Sequence, residues 1–176
     1  MTKSSMTKNK KFMARSFYFL LYHFIRSKYQ NTEVVFISHD SEAREVSEEQ
    51  FFSRGSSGGT LVSTGINEVL RVIESRFHPN NWNIYTFQCS DGDNWPDDTD
   101  NVMRAMEKLK SICQLVGYCE IEPNADRHSA WSSEYKLSNI YLPLIDSKFK
   151  LSNIKVKSDI WKSFRRMFSK RMLVSF

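Results

Sequence analysis

Apolar positions along the chain follow two different periods. Met13, Phe17, Leu20 and Phe24 step by 4, 3 and 4, the spacing of one helical face. Phe12, Phe19, Leu21 and Ile25 widen that face, so this segment, ending near Gln30-Asn31, is expected to pack into a crowded interior. Val62, Ile66, Val69, Ile73 and Phe77 repeat the pattern and stop at His78-Pro79, because proline cannot continue a helical ladder. Val102, Met106, Leu109 and Cys113 mark a third helix that Asp98 or Thr99 can cap. A weaker helix over 129–142 is built around Trp131, Tyr135 and Ile140. Ser158-Asp159 opens a last one that buries Ile160, Phe164 and Phe168, with Trp161 and Met167 beside them.

Between these lie runs with strand composition. Glu33-Val34-Val35-Phe36-Ile37-Ser38 is apolar enough to be buried on both faces. Residues 82–90, Leu115-Val116-Gly117-Tyr118-Cys119-Glu120-Ile121 and 149–156 complete the set. A short strand is expected around Arg44-Glu45-Val46. Ser47 and Gln50 then have the spacing of a capping box, leading into a helical turn through Phe51-Phe52. Strands alternating with amphipathic helices imply an α/β fold, a mostly parallel sheet with helices on both faces. No repeat or linker divides the chain, so residues 1–176 are expected to form one domain. That the chain opens on a helix is unusual for doubly wound folds.

Composition narrows this little. The chain has 176 residues, room for one sizeable core, and its 13 Phe argue against disorder. Three cysteines, Cys89, Cys113 and Cys119, show no CxxC spacing, which points away from a disulfide framework or zinc cluster and toward a reducing compartment. No apolar run approaches the roughly 18 residues of a membrane span, and the basic start lacks a small-residue cleavage site. The expected location is cytoplasmic. The net charge of +5 is uneven. Lys148, Lys150, Lys155, Lys157, Lys162, Arg165, Arg166, Lys170 and Arg171 gather at the C-terminus, where with Trp161 and Phe164 they form a basic amphipathic helix. It reads as a sheet-covering helix with a solvated face, or as a surface for an acidic protein partner, nucleic acid or a membrane, with Lys162, Arg165 and Arg166 as the candidate partner contacts. No nucleic-acid-binding motif is present.

The stretch with chemical character is Cys89-Ser90-Asp91-Gly92-Asp93-Asn94-Trp95. A strand breaks at Asp91-Gly92, and Asp91, Asp93, Asp97, Asp98 and Asp100 fall within ten positions. Open α/β sheets place their ligands at the C-terminal ends of strands. The companion turn Arg54-Gly55-Ser56-Ser57-Gly58-Gly59-Thr60 carries hydroxyls. Together they suggest a hard metal ion or the remains of a site for one; the plain alternative is a turn aspartate and a helix-start hydroxyl. The later aspartates lack EF-hand spacing and read as a solvated acidic turn. No Walker lysine follows Gly59, which argues against nucleotide binding. His39 beside Asp40 reads as a strand-end histidine bonded locally, and Cys89 as a small buried strand residue.

Phe17-Tyr18-Phe19-Leu20-Leu21-Tyr22-His23-Phe24-Ile25-Arg26, the segment Val35-Phe36-Ile37-Ser38-His39-Asp40-Ser41-Glu42-Ala43, Gly58-Gly59-Thr60 and the aspartate loop closely resemble the YhbH/YeaH family. That family includes a bacterial sporulation protein and has a von Willebrand factor A-like domain. The resemblance implies a Rossmann-like sheet with a metal-ion-dependent adhesion site at its C-terminal edge. Thr60 matches the site's threonine, Asp91 its aspartate, and Ser5 the last serine of its Asp-x-Ser-x-Ser motif. Met1 replaces that motif's aspartate and Lys3 its first serine, and the first central strand is missing. The expectation is a member truncated at its N-terminus, with a site that is vestigial or binds Mg²⁺ or Mn²⁺ weakly, because Mg²⁺ demands near-octahedral oxygen ligation.

The function this implies is a non-enzymatic protein-interaction domain, in sporulation or stress response, with a PrkA-type serine kinase as partner and Asp93 as a further candidate contact. One rival is a metal-dependent hydrolase using Asp91, Asp93 and His39, for which no convincing ligand set appears. Another is a decayed fragment without independent function.

Overall fold

The computed structural model of the chain describes residues 7–39, 42–53, 61–123 and 135–168. Three parallel strands, β3 (Tyr85–Ser90), β4 (Leu115–Ile121) and β5 (Phe149–Ile154), pair in that order. All seven residues of β4 are buried. Its side chains alternate between the faces, as the two-residue period of a strand requires. Val116 and Tyr118 join one core with α3 (Val62–Arg76), α4 (Thr99–Ile112) and α5 (Leu137–Ile140). Cys119 and Ile121 join the other, with Met13, Phe17 and Leu21 of α1 (Lys8–Lys28) and Phe164 and Met167 of α6 (Asp159–Phe168). A mixed α/β arrangement with helices on both faces of a parallel sheet is therefore present.

The first apolar run behaves differently. Only Phe36–His39 forms a strand, β1, and it pairs antiparallel with β2 (Ala43–Val46), Phe36 opposite Val46, in a separate two-stranded sheet. No residue of β1 is fully buried, so the expectation of a strand buried on both faces is corrected. Its apolar side chain Phe36 is satisfied by rings instead, from Tyr22 of α1 and from Phe51 and Phe52 of α2 (Glu48–Ser53). The capping box before α2 is formed, with Gln50 N–H donating to Ser47 Oγ and Ser47 N–H to Gln50 Oε1.

Two further expectations are corrected. Phe12 and Phe19 do not extend the buried face of α1; both are exposed, and Ala14 is buried in their place. A continuous helix through 129–142 does not form: residues 129–134 lie outside the described residues, Lys136 is extended, and only Leu137–Ile140 is α-helical before a 3₁₀ turn, Leu142–Leu144. Asp159 is the first residue of α6, and its carboxylate turns back to accept the N–H groups of Lys155 and Val156 at 3.1 Å each.

Asp98 is not part of a solvated turn. It is buried and makes no side-chain cap on α4. Its carboxylate accepts the backbone N–H of Ser63 at 2.9 Å, and Ser63 Oγ–H as well. Helix α3 has no side-chain cap of its own, and the first N–H groups of a helix need partners from elsewhere. Asp98 supplies one from 35 positions downstream.

Candidate functional site

The C-terminal edge of the parallel sheet brings together three buried charged residues, Asp91, Glu120 and Lys136. β3 ends at Ser90, and Asp91 follows with 5% of its surface exposed. Lys10, from the first turn of α1, places its Nζ 3.2 Å from Asp91 Oδ2. Lys136 donates to the Asp91 carbonyl at 2.8 Å and pairs with Asp93 Oδ1 at 3.0 Å. Each carboxylate of the loop's start therefore meets an ammonium within the chain.

Gly92 makes this approach feasible. Its φ is +87°, a region that costs a residue with a Cβ about 1–2 kcal/mol. A Cβ there would also stand 2.6 Å from Glu120 Cδ and 2.9 Å from Lys136 Cδ. The loop is pinned on both sides, Gly92 N–H donating to Ser90 Oγ and Gly92 C=O accepting from Leu137 N–H.

Beneath the loop lies Glu120, at the end of β4 and only 2% exposed. It accepts from Ser138 N–H and Ser138 Oγ–H, both at 3.0 Å, and from Tyr118 O–H at 3.1 Å. Burial pushes its carboxyl above the ordinary value of 4.5, against the opposing pull of the Ser138 bonds, Lys136 and Tyr118. Tyr118, which also contacts Ser90 Oγ at 3.0 Å, is raised well above the usual tyrosine value by burial first and by the Glu120 charge second. Asn94 Oδ1 and Thr99 Oγ1 are buried beside this loop without a hydrogen-bond partner.

Of the expected metal-site residues, Ser5 and Thr60 lie outside the described residues, and Asp91 stands where a strand-end ligand is required. As placed, Asp91 faces an ammonium, and among the described residues no group of three or more His, Cys, Asp or Glu side chains is gathered to hold a metal. His39 is not brought to this edge. Its Nε2 lies 2.9 Å from Thr64 Oγ1, 25 positions downstream, and its ring covers Gly65 on α3. Cys89 is half-buried rather than buried, and burial still pushes its thiol up. Lys162, Arg165 and Arg166 are exposed on α6.

Sequence reasoning missed Lys10, Glu120 and Lys136. Glu120 carried a signal, as the one charged residue in the apolar run of β4; a charge in a strand buried on both faces needs a dedicated set of partners. Lys10 and Lys136 carried none, since their partners lie 81 and 45 positions away.

The fold and this edge define an α/β protein whose parallel sheet ends in a neutralised carboxylate loop. Residues 2–171 match the model of a family described as a protein of unknown function, DUF444. The chain belongs to that family. It is 45% identical over 167 residues to a UPF0229 protein of Ruminiclostridium cellulolyticum, covering 94% of this chain and 41% of the relative. A Clostridium perfringens UPF0229 protein is 37% identical over 171 residues, and one from Bacillus cereus 38% over 167, with 96% and 95% of this chain covered. The chain spans about two fifths of the length of these relatives, 41% in each case. No helix among the described residues is long and apolar enough to cross a membrane.

Proposed function

We propose that the chain is a non-enzymatic protein-interaction domain of the von Willebrand A type, as its resemblance to the YhbH/YeaH family implies. Its adhesion site is degenerate, it works in the cytoplasm in bacterial sporulation or stress response, and a PrkA-type serine kinase is the partner the resemblance offers. The observation that carries the reading is the contact of Lys10 Nζ with Asp91 Oδ2. A carboxylate at the end of a parallel strand is where this class of site needs a metal ligand. An ammonium seated on it competes with a divalent ion for the same charge. The three-stranded sheet with helices on both faces and the position of Asp91 at its edge support the fold assignment.

Calorimetric titration with Mg²⁺ and Mn²⁺ tests this. The wild-type chain is expected to give no micromolar binding, and Lys10→Ala to give at most a weak gain. Micromolar binding in the wild type that vanishes in Asp91→Asn would refute the degenerate site. Metal-stimulated hydrolytic turnover that vanishes in the same variant would refute the non-enzymatic reading.

A further inference from the structure

The surface formed by α6, the turn before it and the start of α1 is built to hold something. Phe12, Val156 and Trp161 are 49%, 41% and 55% exposed. The turn that carries Val156 is locked, because the Asp159 carboxylate accepts both the Lys155 and the Val156 N–H. Lys157 Nζ lies 4.9 Å from the centre of the Phe12 ring, a cation–π distance that joins α1 to the turn. Trp161 stacks on Phe164 at 5.5 Å with planes 21° apart. Phe164 is buried, so one face of the indole is backed by the core and the other is open.

Among the described residues, the charge around these side chains is mainly positive. Lys155, Lys157, Lys162, Arg165 and Arg166 are exposed. Among the described residues, two acidic side chains near them already have partners: Asp159, held by the turn and by Lys162 at 3.5 Å, and Glu122, whose N–H is bonded to Ile154 beside the turn and whose carboxylate lies 3.9 Å from Lys136.

From this we infer that Phe12, Val156 and Trp161, bordered by Lys157, Lys162 and Arg165, dock an acidic protein segment that carries an aromatic or large aliphatic side chain. The inference rests on the protein-interaction reading and names the partner's chemistry. Apolar anchors inside a charged rim are the usual anatomy of such a contact, and rim charges of one sign select an oppositely charged partner. A lipid surface fits less well. The apolar face of α6, Phe164 and Met167, is already inside, whereas a membrane helix needs that face free. Single-stranded nucleic acid needs successive stacking rings along a groove, and here one indole face is open.

The experiment uses the full chain and fluorescence anisotropy with a labelled peptide of Glu and Asp residues around a single Phe. The comparison probes are the same peptide with Ala for Phe, an oligothymidylate, and vesicles of phosphatidylglycerol. The acidic Phe peptide is expected to bind best. Trp161→Ala and the double variant Lys157→Glu, Lys162→Glu should each weaken it about tenfold or more, while Lys108→Glu on exposed α4 should leave it unchanged. Circular dichroism establishes that each variant is folded. Equal binding by the Ala peptide, stronger binding to oligothymidylate or vesicles, or no binding at all overturns the inference. Binding lost in Asp91→Asn but kept in the α6 variants also overturns it, and moves recognition to the carboxylate edge. The metal titration of Asp91 is independent of all these outcomes.

Discussion

The two sheets of this molecule are held together by different means. The parallel sheet is filled from both sides: β4 has a neighbour on each edge, a core on each face, and no exposed residue. The β1–β2 hairpin has four residues per strand, none fully buried, and leans on half-exposed rings of α1 and α2. Two-stranded sheets are marginal alone, and aromatic pairs add only about 0.5–1.5 kcal/mol each beyond burial. Stability should therefore be uneven, highest where apolar area is enclosed and lowest where rings merely cluster.

Truncating one ring in each sheet sharpens that contrast most. Phe149→Ala removes a side chain with no exposed surface and should cost about 3–5 kcal/mol in denaturant unfolding. Phe36→Ala, half-exposed in the hairpin, should cost about 1 kcal/mol. Equal costs would mean that the hairpin is as firmly built as the sheet.

Gly92→Ala probes the loop where the parallel sheet meets its charges. The positive φ alone costs about 1–2 kcal/mol, and the new Cβ collides with Glu120 and Lys136. The expected loss is about 3 kcal/mol or more, with near-native secondary structure retained. A loss near zero would show that the loop relaxes freely.

Glu120→Gln gives the smallest effect and a sign. Burial raises the folded carboxyl above its unfolded value, so the native state holds the proton more tightly than the unfolded chain. The favourable contribution is complete below the unfolded value and is lost as pH rises through the folded one. Glutamine cannot titrate. Its stability relative to wild type should therefore improve as pH rises from below the ordinary carboxyl value of 4.5 through the raised folded one, read as the shift in urea midpoint. A constant difference across that range would show that Glu120 ionises in the fold as it does in the unfolded chain.

The parts of the fold legible in the sequence were those set by short periods. Leu115–Ile121 is the strand its composition indicates, and the repeats of α3 and α4 mark their buried faces through Ile66, Ile73, Val102 and Leu109. The position of Asp91 at a strand end was legible too, from Asp-Gly after an apolar run. What was not legible depends on partners. Phe36-Ile37 reads as buried because apolar content does not say whether a strand will have one neighbour or two. Asp98 reads as a solvated cap because no local signal announces a buried helix start 35 residues upstream. Lys136 reads as helical because its interactions with Asp91 and Asp93 draw it into extended backbone only in the assembled fold.

The bond from Asp98 to Ser63 joins the aspartate loop to the start of α3 across 35 positions. Asp98 closes the loop that begins at Asp91, while α3, whose first turn it holds, packs against both strands of the hairpin. If the loop lifts, α3 loses a buried partner for its N–H, and the first turn of the helix on which the hairpin rests is loosened. A ligand that grips the aspartate loop would thus slow hydrogen exchange in β1 and β2 without touching either. Unchanged exchange in β1 and β2 on such binding would show that the two regions open separately.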